Sequence, residues 1–278
     1  MHSKLEYQTW ENEHKTILPN LNKHRTIMTF SGGKDSSVIL YLMQQASKNF
    51  EFEFETHAAC FPHDVLIDEE RETIDAYWKK KGVAIVWHEL SESDDQLDEA
   101  LNRGIDPCLI CNRIKKNYLM TYFKSSIPDW SSLVIIMSYS LWDLVSSTIE
   151  NILNVRYTTP EHSKGFKEKD YFERFMETSQ RFYPYIKLNG GFSIFKPLIK
   201  YNDQEIKDFL SEKKIPVFSR QCKYHSFRPK RLFSGYFEKM DLHFDFGKVM
   251  GFAKNALNLP EMSYYQEVKM EEYLSKMI

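Results

Sequence analysis

No apolar run in this chain approaches the roughly 18 residues that a bilayer-spanning helix requires. The longest, around Leu133 to Met137, is the length of one buried strand. The first residues, Met-His-Ser-Lys-Leu-Glu-Tyr, lack the apolar core of a secretory signal. A cytoplasmic protein with no membrane contact is the expectation. Cysteine is sparse as well. Four in 278 residues suit a metal or redox role in a reducing compartment better than a disulfide framework. Neither sign of charge dominates: the formal net charge is −2, so any nucleic-acid contact must come from a local basic surface. Internal repeats and low-complexity tracts are missing. Apolar material is not: 42% of residues are hydrophobic and 15% aromatic, enough for a substantial core and too much for a disordered chain. The length allows one large α/β domain with a modest appendage.

The most telling stretch is Ser31-Gly32-Gly33-Lys34-Asp35-Ser36-Ser37. It follows the apolar Thr26–Phe30 and precedes a helical pattern of Val38, Ile39, Leu42 and Met43. Strand, glycine turn and helix aim free backbone amides and a positive helix end at an anion. Two glycines permit close approach of a phosphate. Lys34 adds a cation, Ser31 and Ser36 add hydroxyls, and Asp35 suits a Mg²⁺ ion bridging phosphates. The spacing is not that of a Walker loop.

Around this turn the pattern alternates. Strands are expected at 26–30, 54–61, 83–88, 132–138 and 192–197. Helices are expected at 4–24, 37–48, 64–81, 94–103, 109–124, 141–154 and 202–213, the last capped by Asn202. Such alternation implies an α/β fold with a doubly wound parallel sheet, its ligand beyond the carboxyl ends of the strands. Residues 158–192 read as a polar insertion carrying a helix. The division expected is an N-terminal helical segment (1–25), a nucleotide-binding domain (26–216) and a small helical C-terminal part (217–278).

Three cysteines carry further chemistry. Cys108 and Cys111 form a C-x-x-C pair at a helix start, and Cys222 lies far downstream, three residues before His225. Two thiols on one turn can share a metal that a distant ligand completes. Arg113, Lys115, Lys116, Arg220 and Lys223 would stabilise thiolates. A Zn²⁺ site of three cysteines with His225, or a persulfide relay, are both sound on this donor set. Cys60 reads as a core residue.

The 31–36 motif resembles the signature of the PP-loop ATP pyrophosphatases. Together with Pro107–Arg113, Lys196-Pro197-Leu198, Ile215-Pro216 and Cys222, the chain resembles their tRNA 2-thiocytidine synthetase branch. The resemblance covers most of residues 26–235 as ordered landmarks. It implies an adenylating sulfurtransferase using ATP and Mg²⁺, with a 4Fe-4S cluster on Cys108, Cys111 and Cys222. Lys34 and Asp35 would join the cysteines in catalysis, and residues 31–37 would hold the nucleotide. It further implies tRNA or another nucleobase-containing substrate and a sulfur donor; a homodimer is left open. Two features depart from that branch: Cys222-x-x-His225 replaces a second C-x-x-C, and Ser138–Leu144 replaces a histidine- and aspartate-rich stretch, leaving Asp143 as its single acid. A small-molecule substrate is one alternative, and an ATP-binding regulatory protein with structural zinc is another. Release of sulfite from adenylylated sulfate would need a cysteine beyond Cys222, and there is none.

Other residues have bland readings beside functional ones. Arg228-Pro229-Lys230-Arg231 is either a phosphate-gripping patch or a solvated loop. His63 and Asp64 read as helix-capping residues, and Asp143 as a helix-start acid. Phe172, Phe175, Phe182, Tyr183 and Tyr185 read as core rather than base-stacking residues.

Overall fold

A computed structural model describes residues 4–61, 68–90, 95–157, 179–219, 222–224, 229–270 and 272–273. Six strands form one sheet: β1 (Arg25–Thr29), β2 (Glu55–Cys60), β3 (Ile85–Glu89), β4 (Leu133–Ile136), β5 (Tyr185–Lys187) and β6 (Ser193–Phe195). Their order is β3-β2-β1-β4-β6-β5, parallel throughout except for the antiparallel β5–β6 edge. The helices are α1 (Tyr7–Glu13), α2 (Lys34–Phe50), α3 (Asp68–Lys80), α4 (Asp95–Asn102), α5 (Pro107–Ser126), α6 (Leu141–Tyr157), α7 (Asp203–Glu212), α8 (Pro229–Lys239), α9 (Phe246–Leu257) and α10 (Met262–Glu267).

Alternation along the central strands explains why both faces are covered. Met28, Val134, Ile136 and Phe195 belong to one core with α1, α2 and α7, built around Trp10, Leu42, Trp78 and Phe209. Their neighbours Ile27, Leu133, Ile135 and Ile194 belong to a second core with Phe123, Phe182, Phe192 and Tyr265. A strand apolar on both faces must be central in a doubly wound sheet, and all four residues of β4 are buried. A smaller cluster of Trp142, Val145 and Phe237 seats α8 on α6. No described helix is long and apolar enough to cross a membrane.

Where sequence and structure differ, the reasons are local. The helix expected over 4–24 is one short helix followed by a 3₁₀ turn, Leu18–Lys23, with Pro19 in its first positions. The expected insertion at 158–192 divides: 158–178 lie outside the described residues, whereas 179–192 form a 3₁₀ turn (Gln180–Phe182) and β5. Phe182, Ile186, Leu188 and Phe192 bury that segment. A three-residue edge strand is too short to show a period. Asn202 does precede α7, and Glu205 accepts the Asn202 amide at 2.6 Å.

The N-terminal helix is tied to the sheet by one carbonyl. Trp10 Nε1 donates to the Pro197 oxygen at 3.0 Å, and His14 Nε2 lies 3.0 Å from the same atom. His14 is buried, and burial lowers its pKa from 6.5 to about 4, with Lys200 adding to the effect and the Pro197 contact opposing it. The unfolded chain therefore binds the proton first. The neutral ring's contribution is present above pH 6.5 and is lost as the pH falls towards 4. Urea melts should show stability falling by about 2 kcal/mol more between pH 7 and pH 5 in the native chain than in His14→Gln. Equal slopes would remove His14 as the cause.

Candidate nucleotide and cysteine site

The strand order reverses at β1, whose neighbours are β2 and β4, so the crevice of the sheet opens beyond the carboxyl ends of β1 and β4. The Ser31–Gly33 turn leaves β1 at that point. Gly32 has φ +70°, the left-handed region that favours glycine, and Gly33 is the N-cap of α2. Ser37 N–H is bonded to the Gly33 carbonyl at 3.0 Å. The amides of Lys34, Asp35 and Ser36 precede it in the first turn, where no helical acceptor exists. The turn is braced from inside: Ser36 Oγ donates to the Gly33 carbonyl at 2.9 Å and lies 3.1 Å from Ser31 Oγ. Ser37 is fully buried, and among the described residues its hydroxyl has no hydrogen-bond partner.

Lys34 is held between two acids. Its ammonium donates to Asp35 Oδ1 at 2.6 Å and to Asp203 Oδ1 at the start of α7. The Asp203 side chain is only 4% exposed. Its other oxygen receives Lys207 at 3.2 Å, and Lys207 continues to Glu238 on α8 at 2.5 Å. An acid–base ladder thus runs from the glycine turn to the C-terminal helices. Asp203, the first residue of α7, carries no sequence signal of this role. Asp143 has an ordinary explanation, since Ser140 donates to it through N–H at 2.7 Å and Oγ at 2.8 Å at the start of α6.

The segment after α7 lies over the turn. Phe218 N–H donates to the Gly32 carbonyl at 3.0 Å, and its ring stands 2.0 Å from where a Cβ on Gly32 would be. The other side of Phe218 meets Trp87 at 6.1 Å between ring centres. Four residues further on, Cys222 reaches the other cysteines, a span of at most about 14 Å of extended chain.

Cys108, Cys111 and Cys222 belong to one cluster with Leu97, Ile110 and Tyr224. Asp106 caps α5 and accepts the Cys108 amide at 2.8 Å, with Pro107 in the first helical positions; this fixes the C-x-x-C pair on the opening turn. Tyr224 is the hinge between the cysteines. Cys108 Sγ donates to its carbonyl at 3.3 Å, and its N–H donates to Cys222 Sγ at 3.4 Å. Asp98 on α4 anchors this arrangement, receiving Tyr224 Oη at 2.5 Å and Lys223 at 3.1 Å. Three soft sulfur donors on two elements fit a zinc or iron–sulfur group in kind. Among the described residues, however, no group of three or more His, Cys, Asp or Glu side chains is arranged to hold a metal ion. The three sulfurs share one apolar cluster with Leu97, Ile110 and Tyr224.

Of the remaining candidates, Cys60 is buried and donates to the His88 carbonyl at 3.7 Å, as a core cysteine would. Phe182 and Tyr183 are buried too, and Tyr185 packs against the first core. His63, Asp64, Phe172, Phe175, Arg220, His225 and Arg228 lie outside the described residues.

Strand order and connections define a doubly wound α/β architecture with a glycine turn at its switch point. No family model matches the chain, and no curated protein matches its sequence. Solved structures do. The chain is similar to the U34-tRNA thiolase NcsA from Methanococcus maripaludis with its [4Fe-4S] cluster, at 17% identity and a TM-score of 0.60, over 92% of this chain and 81% of that one. An NMN synthetase from Francisella tularensis aligns at 12% identity and a TM-score of 0.43, over 98% and 92% of the two chains. At 17% identity the likeness to the thiolase shows the fold alone.

The Gly32–Phe218 contact yields a test by double-mutant cycle. Gly32→Ala should cost more than about 2 kcal/mol, combining left-handed strain with displacement of the ring. In a Phe218→Ala background the cost should fall to about 1 kcal/mol, the strain alone. Additive effects in urea denaturation would mean that ring and turn are independent.

Proposed function

We propose that this chain is a PP-loop ATP-using enzyme that adenylates a carbonyl-type oxygen on a nucleobase and exchanges that oxygen for sulfur, with tRNA as its substrate. The single observation carrying this reading is the short run from Phe218 to Tyr224. It packs on the glycine turn at one end and against the C-x-x-C pair at the other.

The chemistry follows from the residues. Oxide leaves carbon poorly, and esterification by AMP makes it a good leaving group. The substrate oxygen bonds to the α-phosphorus, the bond to the β-phosphate bridge breaks, and pyrophosphate departs. Amides of the first α2 turn, with Ser31, Gly32, Gly33 and Ser36, cradle the β- and γ-phosphates. Lys34 exchanges a carboxylate partner for phosphate and neutralises charge developing on pyrophosphate. Asp35, in the first turn of α2 beside Lys34, is the acid that would bind Mg²⁺. A hydrosulfide-class nucleophile then bonds to the activated carbon, its proton is lost, and the carbon–oxygen bond breaks to free AMP. Cys108, Cys111 and Cys222 would hold a 4Fe-4S group, which when bound supplies an open site for that sulfur. The fold shared with the thiolase NcsA supports this reading.

Protein purified without oxygen should carry iron and sulfide. With bulk tRNA, ATP and sulfide it should release pyrophosphate and leave a thiolated pyrimidine detectable by mass spectrometry of the digested RNA. Lys34→Ala should lower pyrophosphate release at least 100-fold, about 3 kcal/mol of transition-state stabilisation, while Cys222→Ser should abolish thiolation and spare the release. A colourless zinc protein that releases no pyrophosphate would overturn the proposal.

A further inference from the structure

A group of cations lies past the carboxyl end of β4, outside the turn and the cysteines. Arg181, on the 3₁₀ turn before β5, places its guanidinium 5.9 Å from the centre of the Tyr139 ring. Lys116 on α5 is within electrostatic reach of the same two groups: burial and the charge of Arg181 push its ammonium below the usual lysine range, and Tyr139 acts the other way. Among the described residues neither Lys116 nor Arg181 has an ion-pair partner. Glu150 on α6 is the acid of this group, and burial, then Asp106, drive its carboxyl up against the pull of Arg181. It is a weak counter-ion.

A buried lysine fixes the geometry. Lys196 is fully buried, and its Nζ donates to the carbonyls of Gln180 at 2.7 Å and Tyr183 at 2.9 Å, clamping the turn that presents Arg181. Partly buried cations without an anion are unfavourable, and repulsion between them adds to the cost. A guanidinium fork beside a lysine point charge matches the oxygens of a phosphate.

The position matters as much as the charge. Met28 and Ile136 are register partners on β1 and β4. Three residues beyond each lie Ser31 and Tyr139, so the two chains leave the sheet at one level, flanking the crevice. Lys116 lies five residues after Cys111 on α5, about 7.5 Å along the helix axis.

We propose that Lys116 and Arg181 form an oxyanion site that seats a phosphate group of the substrate, an RNA backbone phosphate, across the crevice from the glycine turn. The assignment of that phosphate to RNA rests on the function proposed above; the site itself does not. Lys116→Gln and Arg181→Gln sit on different elements, so a folding defect in one leaves the other to decide. Fluorescence anisotropy with labelled bulk tRNA at two salt concentrations should show each variant binding about tenfold more weakly, with the salt slope reduced by about one. ATP affinity should stay within about twofold, and Arg181→Lys should recover part of the RNA binding.

Calorimetry with AMP and with inorganic phosphate separates the sources. Loss of AMP affinity with RNA affinity intact would overturn the RNA assignment and give the phosphate to the nucleotide. Unchanged affinity for RNA, AMP and phosphate in the double variant overturns the site. Pyrophosphate release measured on the same preparations keeps the two proposals apart: a wild-type protein that releases none, yet loses RNA affinity in these variants, fails the reaction and retains the site.

Discussion

The hydrogen bond from the Phe218 amide to the Gly32 carbonyl, 3.0 Å long, joins two parts of the molecule that the chain keeps far apart. One is a turn whose amides suit phosphate oxygens; the other is a short segment ending in Cys222 and Tyr224. Both glycine properties are needed for that contact. The left-handed φ at Gly32 turns its carbonyl towards Phe218, and the missing Cβ leaves room for the ring. A phosphate arriving at the turn meets a surface already in contact with the segment that holds Cys222.

Electrostatics around the crevice is divided by distance from the turn. Lys34 is neutralised by Asp35 and Asp203, and Asp203 is shared with Lys207. Lys207 bonds the other oxygen of Asp203, so that carboxylate keeps a cationic partner when Lys34 changes its own. Across the crevice the balance is the opposite: Lys116 and Lys196 both feel the charge of Arg181, and the one carboxyl shown to pull on Arg181, Glu150, is itself pushed up by burial. Each side prefers anionic oxygen, and the net charge of −2 hides this local asymmetry.

Much of the sheet was legible because its central strands are apolar on both faces and its helices carry ordinary start signals. Asn202 precedes α7 as expected, whereas α5 opens two residues ahead of the expected 109, at Pro107 behind the Asp106 cap. The glycine turn was legible because few side chains other than glycine tolerate its backbone. Proximity of Cys222 to Cys108 and Cys111 was not written in any local pattern; it depends on Tyr224 offering its carbonyl to one thiol and its amide to another sulfur. Asp203 and the group around Arg181 were invisible for the same reason: their partners lie on other elements, and charge at a single position says nothing of what faces it. β5 escaped notice because three residues show no period.

The account stands on turn and cysteines forming one functional unit through residues 218–224. Its most direct measurement is the rate at which a small alkylating reagent modifies Cys222 in the metal-free protein, followed by mass spectrometry with and without saturating ATP and Mg²⁺. Nucleotide at the turn should change that rate at least threefold, and Phe218→Ala should abolish the change. An identical rate at full nucleotide occupancy would contradict the account.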